Sequence, residues 1–362
     1  MRILYVNFTD IFGGGEVFLK HILEAENDEK IEKILITPYC DKLLKGLKDI
    51  KIINGYNRCG KFVSIKNFNN IFKEIRLINK MIKQENVDIV FLNGRNSYYL
   101  SKFINSKIKK IGVWHGSNIR KSRMRNLLNN LSFSSLDKII VVSECQAKIL
   151  AEVFAHRYDE KIEVVHIGID FEKFNQEIIK YEDRQKDKGN TLLIVARLEK
   201  LKGHLDLIDV VKELKNEFQD IKLNIVGEGD EYTTIQQKIL ELKLEDNIKL
   251  LGFQDPMKYY RESSVFVLPS YSEAFPTVNI EAMAAGLPIV TTNVGGIEEA
   301  VRHERNGFIT TPGNINELTK YISILLRDKE KRHRMGSISI EDVESKFTLN
   351  RMKEKVYEII LK

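Results

Sequence analysis

Two glutamates in SEAFPTVNIEAMAAGLPIV, residues 272–290, stand eight positions apart, Glu273 in an apparent loop and Glu281 inside an Ala-rich apolar run. A carboxylate within a run that reads as buried needs a partner, because burial penalises its charge. Carboxylates accept hydrogen bonds, so two of them suit hydroxyls such as those of a sugar ring or a ribose diol. The preceding VFVLP reads as a strand, and Pro276 suits the first turn of a helix that Gly286 and Pro288 end. Amides near Pro276, Thr277 and Val278 then form the positive end of that helix and can hold an anion. The alternative for Glu281 is a partly exposed helical residue paired with a lysine.

Cations stand at another strand end. In VARLEKLKGH, Arg197 directly follows a strand and Lys202 comes five residues on, before Gly203 and a helix. A guanidinium and an ammonium placed there can jointly neutralise a diphosphate, although a surface ion pair of Arg197 with Glu199 is the simpler reading of this motif alone. In IFGGGEVFLK, Gly13, Gly14 and Gly15 lie between the first strand and a helix, where glycines let backbone approach a phosphate; a tight turn explains them equally well. Phe18 occupies the place where a GxGxxG dinucleotide motif needs glycine, and no Walker motif occurs. The loops GEGDEY (Gly227, Glu228, Gly229), GFQD (Gly252, Phe253) and NVGGIEEAV (Gly295, Gly296) follow later strands and can underlie a nucleotide base and ribose. His115 ends the strand KIGVWH, a place where a hydrogen-bonded structural histidine is also common. With no HExxH and no D-x-D, no catalytic metal is expected.

The elements that must position these residues are short β-branched strands alternating with helical stretches, the pattern of βαβ units and parallel sheets. Strands are expected at 2–8, 33–37, 50–53, 88–93, 110–115, 138–143 and 162–167, then at 191–196, 222–227, 248–252, 265–269, 288–292 and 307–310. At 362 residues the chain exceeds what one core usually serves. The expected division is a first domain over 1–174, a polar linker over 175–190, a second domain over 191–343 and a closing amphipathic helix over 344–362. Three scattered cysteines, Cys40, Cys59 and Cys145, argue against a disulfide framework, and the opening MRILYVNFTD lacks a signal peptide's apolar core. A cytoplasmic setting is expected.

The net charge of +6 is uneven: Met1–Asp170 carries 28 basic and 19 acidic residues, the remainder 29 and 32. Between Asp88 and Asp137 lie nine basic residues and no acidic one: Arg95, Lys102, Lys107, Lys109, Lys110, Arg120, Lys121, Arg123 and Arg125. Such a run suits an anionic partner, a membrane surface among them, or is a solvated face.

Taken together, the motifs resemble the retaining glycosyltransferases of family 4, or group 1, which have two facing Rossmann-like domains with a cleft between them (the GT-B fold). The resemblance covers nearly the whole chain. It rests on the E-x7-E of Glu273 and Glu281, with support from GGGE (13–16), WHG (114–116), GID (168–170), RLEKLKG (197–203) and GEG (227–229). It implies that Arg197 and Lys202 hold the donor diphosphate, Glu281 the ribose and Glu273 a hydroxyl of the transferred sugar. The backbone around Ala274, Phe275 and Thr277 would line the sugar and phosphate pocket. His115 would face the donor sugar, Gly14 would line the cleft, and the last helix would cross back to the first domain. Ala196 stands where the family commonly has glycine, Ile167 where asparagine is frequent, and DIVFLNGRNSYYL lacks a histidine often found after that strand.

The activity implied is transfer of a hexose-type sugar from a nucleotide-diphosphate sugar to a glycan or lipid-linked acceptor, with retention, in cell-envelope polysaccharide synthesis. The chain would act in the cytoplasm, peripheral to an anionic membrane through its basic first domain. Alternatives are a nucleotide-sugar epimerase or hydrolase of the same fold, and a basic nucleic-acid-binding protein, although no recognised nucleic-acid module occurs.

Overall fold

A computed structural model gives the chain's structure and describes residues 1–9, 13–24, 31–38, 40–56, 65–105, 107–116, 123–179 and 189–362. Cys59, Arg120, Lys121 and residues 180–188 of the expected linker lie outside these. The chain divides into two compact units, one of Met1–His166 with Met352–Lys362, the other of Ile167–Arg351.

The first unit is built on β1 (Arg2–Asn7), β2 (Glu32–Thr37), β3 (Ile50–Asn54), β4 (Ile89–Asn93), β5 (Lys109–Trp114), β6 (Lys138–Val141) and β7 (Ile162–Val164). They form a seven-stranded sheet in the order β3-β2-β1-β4-β5-β6-β7. Every pairing is parallel, as in Leu4 beside both Ile34 and Val90. The strands are apolar almost throughout because helices cover both faces of such a sheet. Leu4, Val6, Val90, Leu92, Phe133 and Val141 are among the core residues. Strand order reverses between β1 and β4, and beyond the carboxyl ends at such a point an open α/β sheet leaves a crevice. The closing helix, Leu349–Leu361, ends against this sheet: Lys109 Nζ donates to the carbonyls of Ile359 and Ile360 at 3.1 and 2.8 Å.

The second unit repeats the plan with β8 (Thr191–Val195), β9 (Lys222–Val226), β10 (Ile248–Leu250), β11 (Val265–Leu268), β12 (Ile289–Thr292) and β13 (Gly307–Thr310). Its six-stranded order is β10-β9-β8-β11-β12-β13, again parallel, with the reversal between β8 and β11. The GID stretch serves packing here. Ile169 N–H donates to Phe347 O, Leu349 N–H donates to Ile169 O at 2.7 Å, and a Cβ on Gly168 would lie 2.2 Å from Thr348 O. The expected strands are all present, within a few residues at their ends, and both units are Rossmann-like. No helix among the described residues is long and apolar enough to cross a membrane.

Candidate functional site

In the second unit the predicted residues gather where β8 and β11 diverge. A short turn, Lys200–Lys202, follows β8 and precedes the helix His204–Leu214. Its Lys202 Nζ sits 2.7 Å from Glu273 Oε1, which also accepts a hydrogen bond from Ser270 Oγ at 2.7 Å. The pair is well shielded, with side-chain exposures of 18% and 9%. Glu273 Oε2 has no hydrogen bond among the described residues. Shielding of this degree makes a charged pair responsive to an arriving anion or hydroxyl, since little water competes.

Backbone packing fixes the Glu273 loop. Thr292 Oγ1 donates to Ser270 O at 2.5 Å, and Gly296 N–H donates to Ala274 O at 2.9 Å. Gly295 has φ +59°, and a Cβ there would lie 2.0 Å from Glu273 O, so only glycine lets the two loops touch. Gly227 plays the matching part on the other side: at φ +144° its Cβ would lie 2.0 Å from Ala196 O, beside Arg197. The loop through Gly229 is tied down by Leu198 N–H donating to Glu228 O and Glu231 N–H donating to Leu198 O.

The helix after β11 spans Thr277–Ala284 with Pro276 as its N-cap, so Thr277 and Val278 carry the first amides of its positive end. Glu281 lies one turn in. Its Oε2 accepts from the Tyr260 hydroxyl at 2.7 Å, and Oε1 has no partner among the described residues. Burial holds the Glu281 carboxyl above the usual carboxylate range, against the pull of the Tyr260 hydrogen bond. Tyrosine thus takes the place of the lysine considered from sequence. Each of the two glutamates has one oxygen occupied and the other available, which suits them to accept from hydroxyls.

Other predicted residues fall as follows. Arg197 forms the surface pair with Glu199, at 2.5 Å, with its side chain 65% exposed. The Phe275 ring turns inward against Phe347, 5.6 Å between centroids, so only its backbone is available to a ligand. Thr277 is half-buried, and Phe253 is largely exposed beyond β10, its N–H donating to Glu228 Oε1 at 3.4 Å. Among the described residues no group of three His, Cys, Asp or Glu side chains is placed to hold a metal ion.

The first unit has its own cluster beyond β1, β4 and β5. Gly13 is the N-cap of the helix Gly14–Leu23, with Glu16 Oε2 accepting from Gly13 N–H at 3.0 Å. Burial pushes the Glu16 carboxyl up to about 7. Gly14 is exposed in the first turn, whereas a Cβ on Gly15 would press 3.0 Å from His115 Cδ2. His115 packs edge-on to Phe18, with centroids 5.4 Å apart, and its Nε2 lies 2.9 Å from Asn93 Oδ1. Burial holds this imidazole down to about 4, so it is neutral at ordinary pH. Gln146 pins the loop by donating to Gly116 O at 2.9 Å. Ser270, Tyr260, Asn7 and Asn93 join these clusters without any motif that marks them in the sequence.

Comparison with known proteins gives the family. Residues 12–173 match the model for Glycosyltransferase Family 4, and residues 175–342 that for Glycosyl transferases group 1. An uncharacterized glycosyltransferase of Haemophilus influenzae is 30% identical over 271 residues, 73% of each chain. The capsular polysaccharide biosynthesis glycosyltransferase CapM of Staphylococcus aureus is 30% identical over 225 residues, 60% of this chain and 59% of that one. The crystal structure of Anabaena HepE in complex with UDP-glucose superposes with a TM-score of 0.84 at 20% identity, covering 100% of this chain and 99% of that one, a likeness of fold. The chain belongs to the group 1, family 4 glycosyltransferases of the GT-B fold.

Proposed function

We propose that the chain transfers a hexose-type sugar from a nucleotide-diphosphate sugar to a glycan or lipid-linked acceptor of the cell envelope, with retention of anomeric configuration. The observation that carries this reading is the shielded Lys202–Glu273 pair beside the positive end of the helix Thr277–Ala284. Lys202, Arg197 and the amides of Thr277 and Val278 receive the diphosphate and stabilise the charge that grows on it as the glycosidic bond breaks. Glu281, with one oxygen held by Tyr260, accepts from the ribose, and Glu273 accepts from a hydroxyl of the transferred sugar. The loops at Gly227, Gly229 and Phe253 underlie the nucleoside, and the backbone at Ala274, Phe275 and Thr277 lines the sugar pocket. With these cations and the helix end serving the leaving group, no catalytic metal is proposed. The leaving diphosphate takes up the acceptor proton on the face where the new bond forms. Gly14 and His115 serve from the first unit, which takes the acceptor. The likeness to a chain crystallised with UDP-glucose, and the capsular role of a relative, support donor class and pathway class.

A cytoplasmic chain resting on an anionic membrane is part of the same proposal. On the helix Arg123–Ser135, Met124, Leu127 and Leu131 are exposed apolar residues at helical spacing, next to Arg123 and Arg125. Phe103 is exposed on the neighbouring turn, which Ser101 Oγ ties to this helix through Ser132 O. An apolar stripe with basic flanks matches the interface of an anionic bilayer.

Incubation with a panel of nucleotide sugars and lipid-linked acceptor, followed by NMR of the product's anomeric proton, tests the reading. A product of the donor's own anomeric configuration is expected; an inverted product, or donor consumed equally without acceptor, contradicts it.

A further inference from the structure

The polar network behind His115 decides which of its ring nitrogens carries hydrogen. Asn93, 2% exposed at the end of β4, places its Nδ2 3.1 Å from Gly15 O and 3.1 Å from Asn7 Oδ1. The Gly15 carbonyl can only accept, so the Asn93 atom facing it must be the NH2 group. The atom facing His115, at 2.9 Å, is then the Asn93 carbonyl oxygen, which also can only accept. A neutral imidazole meeting an acceptor at Nε2 must carry its hydrogen there, and Nδ1 keeps a bare lone pair. Nδ1 has no hydrogen-bond partner among the described residues. Asn7, itself fully buried, closes the chain by donating from Nδ2 to Thr9 O at 3.3 Å.

We infer that Asn93 is a positioning residue: through Gly15 and Asn7 it locks His115 as the Nε2–H tautomer, so that Nδ1 accepts a hydrogen bond from a substrate hydroxyl. The same network ties the glycine-rich turn to His115, because the carbonyl that orients Asn93 belongs to Gly15, whose lack of a side chain lets the imidazole approach. This deepens the proposed function and rests on its reading of His115 as a substrate-facing group.

Long-range nitrogen–proton NMR of the full chain with nitrogen-15-labelled histidine tests it directly. The wild type is expected to show a protonated Nε2 and an unprotonated Nδ1. A protonated Nδ1, or an even mixture of tautomers, overturns the inference without need of any variant. In Asn93→Ala the His115 signal is expected to become a tautomer mixture, with kcat falling on the order of tenfold and nucleotide affinity unchanged, the scale of losing an orienting partner of a histidine. An unchanged tautomer in that variant contradicts the role of Asn93. A tautomer that shifts while kcat stays at the wild-type value leaves Asn93's hold on the ring intact and removes His115 from the reaction.

Discussion

Lys202 Nζ and Ser270 Oγ meet the same oxygen of Glu273, each at 2.7 Å, and leave its other oxygen uncommitted. The lysine is thereby held where β8 and β11 part, in a place shielded from solvent. Glu273→Gln is expected to retain nucleotide binding and to lower transfer about 100-fold, the scale of losing one preorganised electrostatic contact in a water-poor site. Lys202→Ala is expected to weaken nucleotide binding about 10–100-fold, by loss of charge-assisted bonds to phosphate. Steady-state kinetics with calorimetric titration separates the two; wild-type turnover in Glu273→Gln removes that residue's assigned role.

The Tyr260 hydroxyl occupies Oε2 of Glu281 and opposes the upward push of burial on that carboxyl. In Tyr260→Phe the carboxyl loses this bond and its titration moves further up. Nucleotide affinity is expected to fall about fivefold, the worth of one ordinary hydrogen bond, and to fall more steeply as pH drops. An affinity equal to the wild type's at all pH values contradicts the placement of the ribose on Glu281.

His115 is held down to about 4 against an ordinary value of 6.5. The unfolded chain therefore takes up this proton first as pH falls. The stability contributed by the neutral ring is full above about 6.5 and is lost progressively towards 4. His204 shifts the same way, also to about 4, so the test is the difference between wild type and His115→Gln. The variant's stability is expected to fall less steeply with acid across that window, as read from denaturant midpoints. A His115 titration midpoint above 6 by NMR contradicts the burial described here.

The exposed stripe of Met124, Leu127 and Leu131 predicts sedimentation with anionic vesicles that weakens with salt and drops in Leu127→Ser. Equal binding to neutral and anionic vesicles at low salt rejects the membrane surface as a partner.

Much of this fold is legible in the sequence, because parallel strands covered on both faces read as unbroken apolar runs such as Ile3–Val6 and Val265–Leu268. The glycine turns and the E-x7-E motif mark the strand ends that carry the site. What could not be read is which side chains meet. The Lys202–Glu273 contact joins residues 71 positions apart through the crossover from β8 to β11. Asn93 and Asn7 sit in strands that look merely apolar, and their link spans 86 positions. The basic run between Asp88 and Asp137 overstates the surface charge. Lys109 is spent on the last helix's carbonyls and Lys110 is buried within β5.

Titration of nucleotide-diphosphate sugars into the wild type, Lys202→Ala and Glu281→Ala, followed by calorimetry, tests whether the diphosphate is held at Lys202 and the ribose at Glu281. The wild type is expected to bind at least one such donor, Lys202→Ala to lose affinity for the free nucleoside diphosphate as well as for the sugar, and Glu281→Ala to lose affinity for any ribose-bearing ligand. Donor binding that is equal in all three chains would contradict a diphosphate held at Lys202 and a ribose held at Glu281.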